Sequence, residues 1–149
     1  MMFPVIQING QPYLDGGCAD AIPWKRAFDQ GCDRVVVLLT REREYRKGPE
    51  KTMSLLRPVF RKYPAFLEIM STRAERYNRC REELFALERE GKVLVIAPED
   101  TLGCSRTEKD MEVVRALWQI GYFAGRRSAD SVRAFWAENT DPSLLETAP

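Results

Sequence analysis

The stretch YLDGGCADAIPWKRAFDQGCDRVVVLLT, residues 13–40, passes from an acidic turn through a short amphipathic segment into a continuous apolar run. The run Val35-Val36-Val37-Leu38-Leu39 is too short for an ordinary helix and rich in valine, which predicts a strand buried on both faces. Ahead of it, Pro23 suits a first helical position, Ala27 and Phe28 share a face, and Gly31 suits a C-terminal stop, so a helix is expected over about 23–30. Further along, KVLVIAP, residues 92–98, is a second compact apolar run closed by Pro98. Strand, helical excursion and strand in that order predict an α/β layer with parallel pairing.

The flanking segments fill in the rest. Asn9-Gly10 between two β-prone runs predicts a hairpin over about residues 4–15. TMSLLRPVFRKY, residues 52–63, reads as a helix interrupted at Pro58. From Pro64 a single longer helix is expected to end at Gly91. Its stripe is Phe66, Met70, Ala74, Tyr77, Cys80, Leu84 and Leu87, with Arg76, Arg79, Arg81, Glu82 and Arg89 outside it. Thr107 is a candidate N-cap for a helix with Met111, Val114, Leu117, Trp118 and Gly121 on one face. A separate helix capped by Ser128 or Asp130 should follow, ending in a fraying Pro-containing tail.

With 44% apolar and 30% charged residues, the 149-residue chain falls in the range of one compact globular domain. The net charge of +1 gives no global reason to expect nucleic acid. The N-terminus has no basic leader, and no run approaches bilayer length, so a soluble, cytoplasmic protein is expected, peripheral to a membrane at most. Cys18, Cys32, Cys80 and Cys104 form no C-x-x-C pair and read as free thiols in a reducing compartment. The absence of histidine removes every Ser-His-Asp, Cys-His and His-metal arrangement from these residues.

That leaves Asp15-Gly16-Gly17 as the motif to explain. Asp and Gly are ordinary turn residues, so a plain turn is one reading. The other is that paired glycines adopt positive φ and let a second backbone or a substrate approach the carboxylate.

The ordered stretch from Phe3 to Arg41 resembles the C-terminal half of the patatin-like phospholipase fold. The residues that carry the resemblance are Pro4, Gly10, Tyr13, Asp15, Gly16, Gly17, Asp20, Pro23, Gly31 and the VVVLL strand. The strand exit LLTR and the long helical remainder look like the bacterial branch with an added helical C-terminal region. The resemblance implies a lipid acyl ester hydrolase working with a serine-aspartate dyad and no cofactor, in which Asp15 is the dyad aspartate and Gly16, Gly17 and Asp20 support it. It also implies a partial patatin-like α/β layer of few, mostly parallel strands with an N-terminal hairpin. Residues 1–47 would belong to the core, and 48–149 to a helical extension with one more strand near 92–97, packed as one unit. In such a dyad the carboxylate accepts the serine proton as the ester is attacked and returns it to the leaving alkoxide.

The sequence departs from the family in having no G-x-S-x-G elbow and no Gly-rich oxyanion loop. Ser54, Ser71, Ser105, Ser128, Ser131 and Ser143 all lie outside such a turn. Together with a start at Met1-Met2-Phe3, almost inside a strand, this predicts a C-terminal fragment or shortened reading frame, inactive alone, that acts on an acyl ester or phospholipid only with its nucleophile half. The alternative is a non-catalytic α/β binding module or homodimer that uses an exposed sheet edge.

Other groups have two readings each. Asp20 could join Asp15 at a divalent cation, and orienting the loop is the preferred role. Arg41, Arg43, Arg46 and Lys47 could meet anionic headgroups, although Glu42 and Glu44 favour a solvated loop. Trp118, Tyr122, Phe123, Phe135 and Trp136 are expected in the core rather than on a lipid-facing surface. Cys18 is read as a structural thiol, since no histidine can serve it as a base.

Overall fold

The computed structural model describes residues 5–105 and 108–137. It is mixed α/β, with an N-terminal antiparallel hairpin, a short parallel sheet and helices, as the sequence predicts. The expectations at Met1–Phe3, Pro4, Thr107, Ser143 and the Pro-containing tail lie outside the described residues. The chain groups into two compact units that interleave in sequence. One takes the residues up to Cys32 with Arg46–Ala86, the other Asp33–Tyr45 with the residues from Leu87 onward. Parallel pairing brings segments far apart in sequence, Asp33–Tyr45 and the residues after Ala86, into the second unit.

In the first unit, β1 (Ile6–Ile8) and β2 (Gln11–Tyr13) pair with Ile6 opposite Tyr13. Asn9 and Gly10 have φ of 50° and 75°, the left-handed pair that a tight hairpin turn needs. After α1 (Trp24–Asp29), Pro58 sits in the last turn of α2 (Met53–Val59), which ends one residue later. The single helix expected from Pro64 is in fact two, α3 (Pro64–Ser71) and α4 (Arg73–Arg89). At the break, the Glu68 carbonyl accepts from Ser71 Oγ at 2.8 Å and Thr72 Oγ1 at 3.1 Å as well as from Thr72 N at 3.1 Å. Leu56, Phe60 and Met70 form a core cluster against which Leu14, Cys18 and Phe66 pack.

Arg81, expected outside the apolar stripe of α4, is fully buried at 0% exposure. Its guanidinium lies 5.8 Å from the Tyr77 ring centroid and 5.3 Å from that of Phe85. Aromatic faces one turn to either side give a buried cation the electrostatic contact that sequence periodicity does not register.

In the second unit, β3 (Val35–Leu38) runs parallel to β4 (Val93–Ile96), with Val35 opposite Val93 and Leu38 opposite Ile96. Burial on both faces of β3 is not what the structure has. Val37, Leu39, Val93 and Val95 are buried, whereas Leu38 is 72% exposed. Among the described residues the sheet has only these two strands, so one face of β3 lacks the cover its composition anticipates.

The two helices expected near the C-terminus are one, α5 (Met111–Ala137). Ser128 Oγ donates to the Ala124 carbonyl at 2.9 Å from within the helix instead of capping a new one, and Asp110 Oδ1 accepts from Glu112 N at 2.9 Å at the true start. The aromatic residues of α5 are not core. Trp118 is 67% exposed, Tyr122, Phe123 and Trp136 are exposed as well, and Trp118 stacks on Tyr122 at 5.3 Å. Phe135 alone of the five is half-buried, with the Arg34 guanidinium 5.0 Å from its ring. Helical periodicity identifies two apolar stripes on α5 and cannot say that only one of them is covered. No helix among the described residues is long and apolar enough to cross a membrane.

Leu55 and Leu56 are neighbours on opposite sides of α2, 67% and 1% exposed. In urea unfolding, Leu56→Ala is expected to cost about 2–5 kcal/mol and Leu55→Ala less than about 0.5 kcal/mol. Equal losses would contradict the assigned face.

Candidate functional site

Asp15 stands at the head of a single 3-10 turn, Gly16–Cys18. Its Oδ1 accepts from Gly17 N at 2.7 Å, and its carbonyl accepts from Cys18 N at 3.0 Å. Neither Gly16 nor Gly17 has the positive φ that the sequence suggested. Gly17 serves a different need, because a Cβ there would stand 3.2 Å from Asp15 Oδ1, crowding the carboxylate off the amide that anchors it. The remaining oxygen, Oδ2, has no partner among the described residues, and the side chain is exposed.

The turn is held from α4. Arg73 donates to the Gly17 carbonyl from Nε at 3.2 Å and Nη2 at 2.9 Å. Arg76 donates to Cys18 O at 3.2 Å and to Ala19 O, while also reaching Ile69 O at 2.8 Å. One turn on, the Cys80 thiol accepts from Trp24 Nε1 at 3.1 Å and donates to Ile22 O at 3.6 Å. Burial, ahead of its other influences, pushes that thiol's pKa up. Glu83 then pairs with Lys25 at 2.5 Å, raising the lysine pKa through that hydrogen bond. Residues 73, 76, 80 and 83 are three and four apart, so one face of α4 grips residues 17–25 in chain order. Glu50 braces the clamp at 3.9 Å from Arg73. It accepts from Thr52 Oγ1 at 2.7 Å, the first cause of its lowered pKa.

Of the other predicted site residues, Asp20 is exposed, and its carboxylate has no hydrogen-bond partner among the described residues. Its amide donates to Gly16 O at 2.8 Å, so what Asp20 adds to the turn comes through its backbone. No group of three or more His, Cys, Asp and Glu side chains that could hold a metal occurs among the described residues. Cys18 is half-buried against the Leu56 cluster.

The basic loop is not simply solvated. In the second unit, Arg41 donates to Thr101 Oγ1 at 3.0 Å and Cys104 O at 3.2 Å, and Arg43 donates to Val95 O at 3.3 Å. Glu42 accepts from Thr101 N at 2.6 Å and from its hydroxyl, which lowers the carboxyl pKa. In the first unit, Lys47 exchanges backbone hydrogen bonds with the Asn78 side chain at 2.8 and 3.0 Å. The Arg41 contacts border a cleft of about 470 Å³ at the carboxyl ends of β3 and β4, which Leu38, Ile96, Leu117, Ile120 and Ala124 line on its apolar side.

Sequence reasoning missed Arg73, Arg76 and Glu83 as positioning residues. The available signal was their i, i+3, i+7, i+10 spacing with Cys80, which a hydrophobicity pattern discards as a polar face.

Residues 63–137, half of the chain, match a family model described as Domain of unknown function (DUF6363). No curated protein and no solved structure matches the chain. The matched segment holds the clamp residues Arg73, Arg76, Cys80 and Glu83, and the turn they hold lies ahead of it.

Two outcomes check the clamp. Arg73→Ala with Arg76→Ala is expected to speed amide hydrogen exchange at Cys18 and Asp20 by about tenfold or more while α4 stays folded, since hydrogen bonds to charged groups contribute about 1.5–3 kcal/mol. Unchanged exchange would remove the arginines from that role. The lowered carboxyl pKa of Glu50 gives a pH test. Its stabilisation is full above the ordinary value of 4.5 and drains away as the pH falls through the lower folded value. Thr52→Val should flatten that acid limb in thermal melts, and an identical pH dependence would contradict it.

Proposed function

The chain belongs to the family described as Domain of unknown function (DUF6363), and from that premise, which carries no chemistry of its own, we propose that it is the C-terminal part of a patatin-like lipid acyl ester hydrolase. In this reading Asp15 is the dyad base, and the nucleophilic serine and oxyanion donors come from polypeptide outside these 149 residues. One observation carries it. The Asp15 carboxylate is fixed through Oδ1 by Gly17 N at 2.7 Å and offers Oδ2 outward from a turn that two arginines clamp. A catalytic carboxylate needs that arrangement, one oxygen to set its orientation and the other directed at the hydroxyl.

Oδ2 accepts the serine proton as the hydroxyl attacks the ester carbonyl, and the protonated carboxyl then returns it to the leaving alkoxide. Arg73 and Arg76 touch no reacting atom and act as positioning residues. The substrate is an acyl ester or phospholipid, reached at a membrane surface by a cytoplasmic protein.

A second reading, a non-catalytic module that pairs through its sheet, is favoured by the 72% exposure of Leu38 on β3.

The test is a single-chain fusion that places a patatin-like nucleophile half upstream of residue 1. Hydrolysis of a p-nitrophenyl ester is expected to appear on fusion and to fall about 10²–10⁴-fold with Asp15→Asn at unchanged melting temperature. Full activity in that variant would remove Asp15 from the mechanism.

A further inference from the structure

Between Glu50 and Glu68 the chain carries Lys51, Arg57, Arg61 and Lys62 and no acid, although its net charge is only +1. All four are exposed, and none has a carboxylate partner among the described residues. Elsewhere exposed cations are matched, Lys25 by Glu83, Arg127 by Glu99 and Arg133 by Asp130. The bounding Glu50 is itself turned to Arg73 and Thr52. The first unit therefore has a local field of one sign that the composition of the whole chain conceals.

The same segment leaves apolar side chains in solvent. Leu55 and Val59, four residues apart on the outer face of α2, are 67% and 65% exposed, while Leu56 on the inner face is core. Tyr63, 43% exposed, carries this surface to an open cleft of about 210 Å³, which it lines with Phe60 and Phe66 and, from the hairpin, Val5, Pro12 and Leu14. The hairpin side has no charged residue from Val5 to Leu14. Singly exposed apolar residues are ordinary on a protein surface. Apolar groups interspersed with unmatched cations and opening on an apolar cleft fit a bilayer interface instead. There the apolar side chains enter the acyl boundary, a tyrosine sits at headgroup level, and long cationic side chains reach lipid phosphates. A cluster of four cations is of the size that recognises anionic lipid. A second copy of this face would set four cations against four, and a nucleic acid would leave Leu55 and Val59 without an apolar partner.

We propose that the surface of residues 51–63 seats the first unit on an anionic lipid bilayer, with Leu55, Val59 and Tyr63 entering the interface and the four cations meeting headgroup phosphates. Charge and exposure carry this surface, and it does not rest on the hydrolase reading.

The experiment is flotation of the full chain with vesicles of phosphatidylcholine alone and with vesicles of phosphatidylcholine and phosphatidylserine in equal parts. Binding is expected to be at least about tenfold tighter to the anionic vesicles and to weaken as sodium chloride is added. Arg57→Gln combined with Arg61→Gln and Lys62→Gln is expected to weaken it about tenfold or more, and Leu55→Ser combined with Val59→Ser to weaken it as well. Both sets replace exposed side chains, so melting temperatures are expected to hold. Arg126→Gln combined with Arg127→Gln and Arg133→Gln removes three cations from α5 and is expected to bind as the wild type does. No binding to anionic vesicles, equal binding to both compositions, or an equal loss from the α5 set would overturn the proposal. Polyglutamate or a single-stranded oligonucleotide that binds through Arg57, Arg61 and Lys62 while vesicles do not would also overturn it, by making another polyanion the occupant. Anionic-vesicle binding that depends on these residues, found alongside a fusion whose hydrolysis ignores Asp15→Asn, would keep the surface and discard the dyad.

Discussion

Everything proposed for Asp15 depends on the grip of α4 on residues 17–25. A short turn of glycine, cysteine and alanine has little side-chain surface with which to hold itself, and its amide-to-carboxylate bond at 2.7 Å is local. Arg73 and Arg76 bind the carbonyls of Gly17, Cys18 and Ala19, so the backbone is fixed whatever side chains it bears. Cys80 and Glu83 extend the hold to Trp24 and Lys25, the start of α1. The part-buried charge-assisted bonds from Arg73 to Gly17 O and from Arg76 to Cys18 O are the strong members of the set, about 1.5–3 kcal/mol each. Acting together on the carbonyls of residues 17–19, the two arginines give the carboxylate a fixed direction that a free turn would lack.

The second unit shows the same economy on a sheet. One edge is finished by a side-chain pair, Arg43 and Glu88, that satisfies the donor and acceptor of Val95. The other is left with the apolar composition of an interior strand.

Much of the fold was legible in the sequence. Asn9-Gly10 marked the hairpin, and two valine-rich runs marked a parallel pair, because turn chemistry and strand composition are local properties. The Asp15 turn was legible as a motif. Its support was not. Arg73 and Arg76 reach carbonyls more than fifty residues earlier, and hydrophobic periodicity treats every arginine on a helix as solvent-facing. Arg81 is the extreme case, buried against Tyr77 and Phe85 although its position read as polar surface. The reverse holds on α5 and β3, where apolar spacing places Trp118 and Leu38 in a core although both are exposed, because spacing records that a face can be covered and not that it is. Helix boundaries failed for a smaller reason. Ser71, Thr72 and Ser128 each bond a carbonyl about one turn back, yet one helix ends at Ser71 and the other runs on through Ser128, so residues of this type do not by themselves fix a boundary.

The central claim is that Asp15 is held so that its second oxygen meets a serine hydroxyl. The most direct measurement is a crystal structure of the chain joined to a patatin-like nucleophile half. The account expects Asp15 Oδ2 at about 2.6–3.2 Å from the serine Oγ, with Oδ1 still on Gly17 N. A serine bonded to another group, with Asp15 facing solvent beyond hydrogen-bond reach, would contradict it.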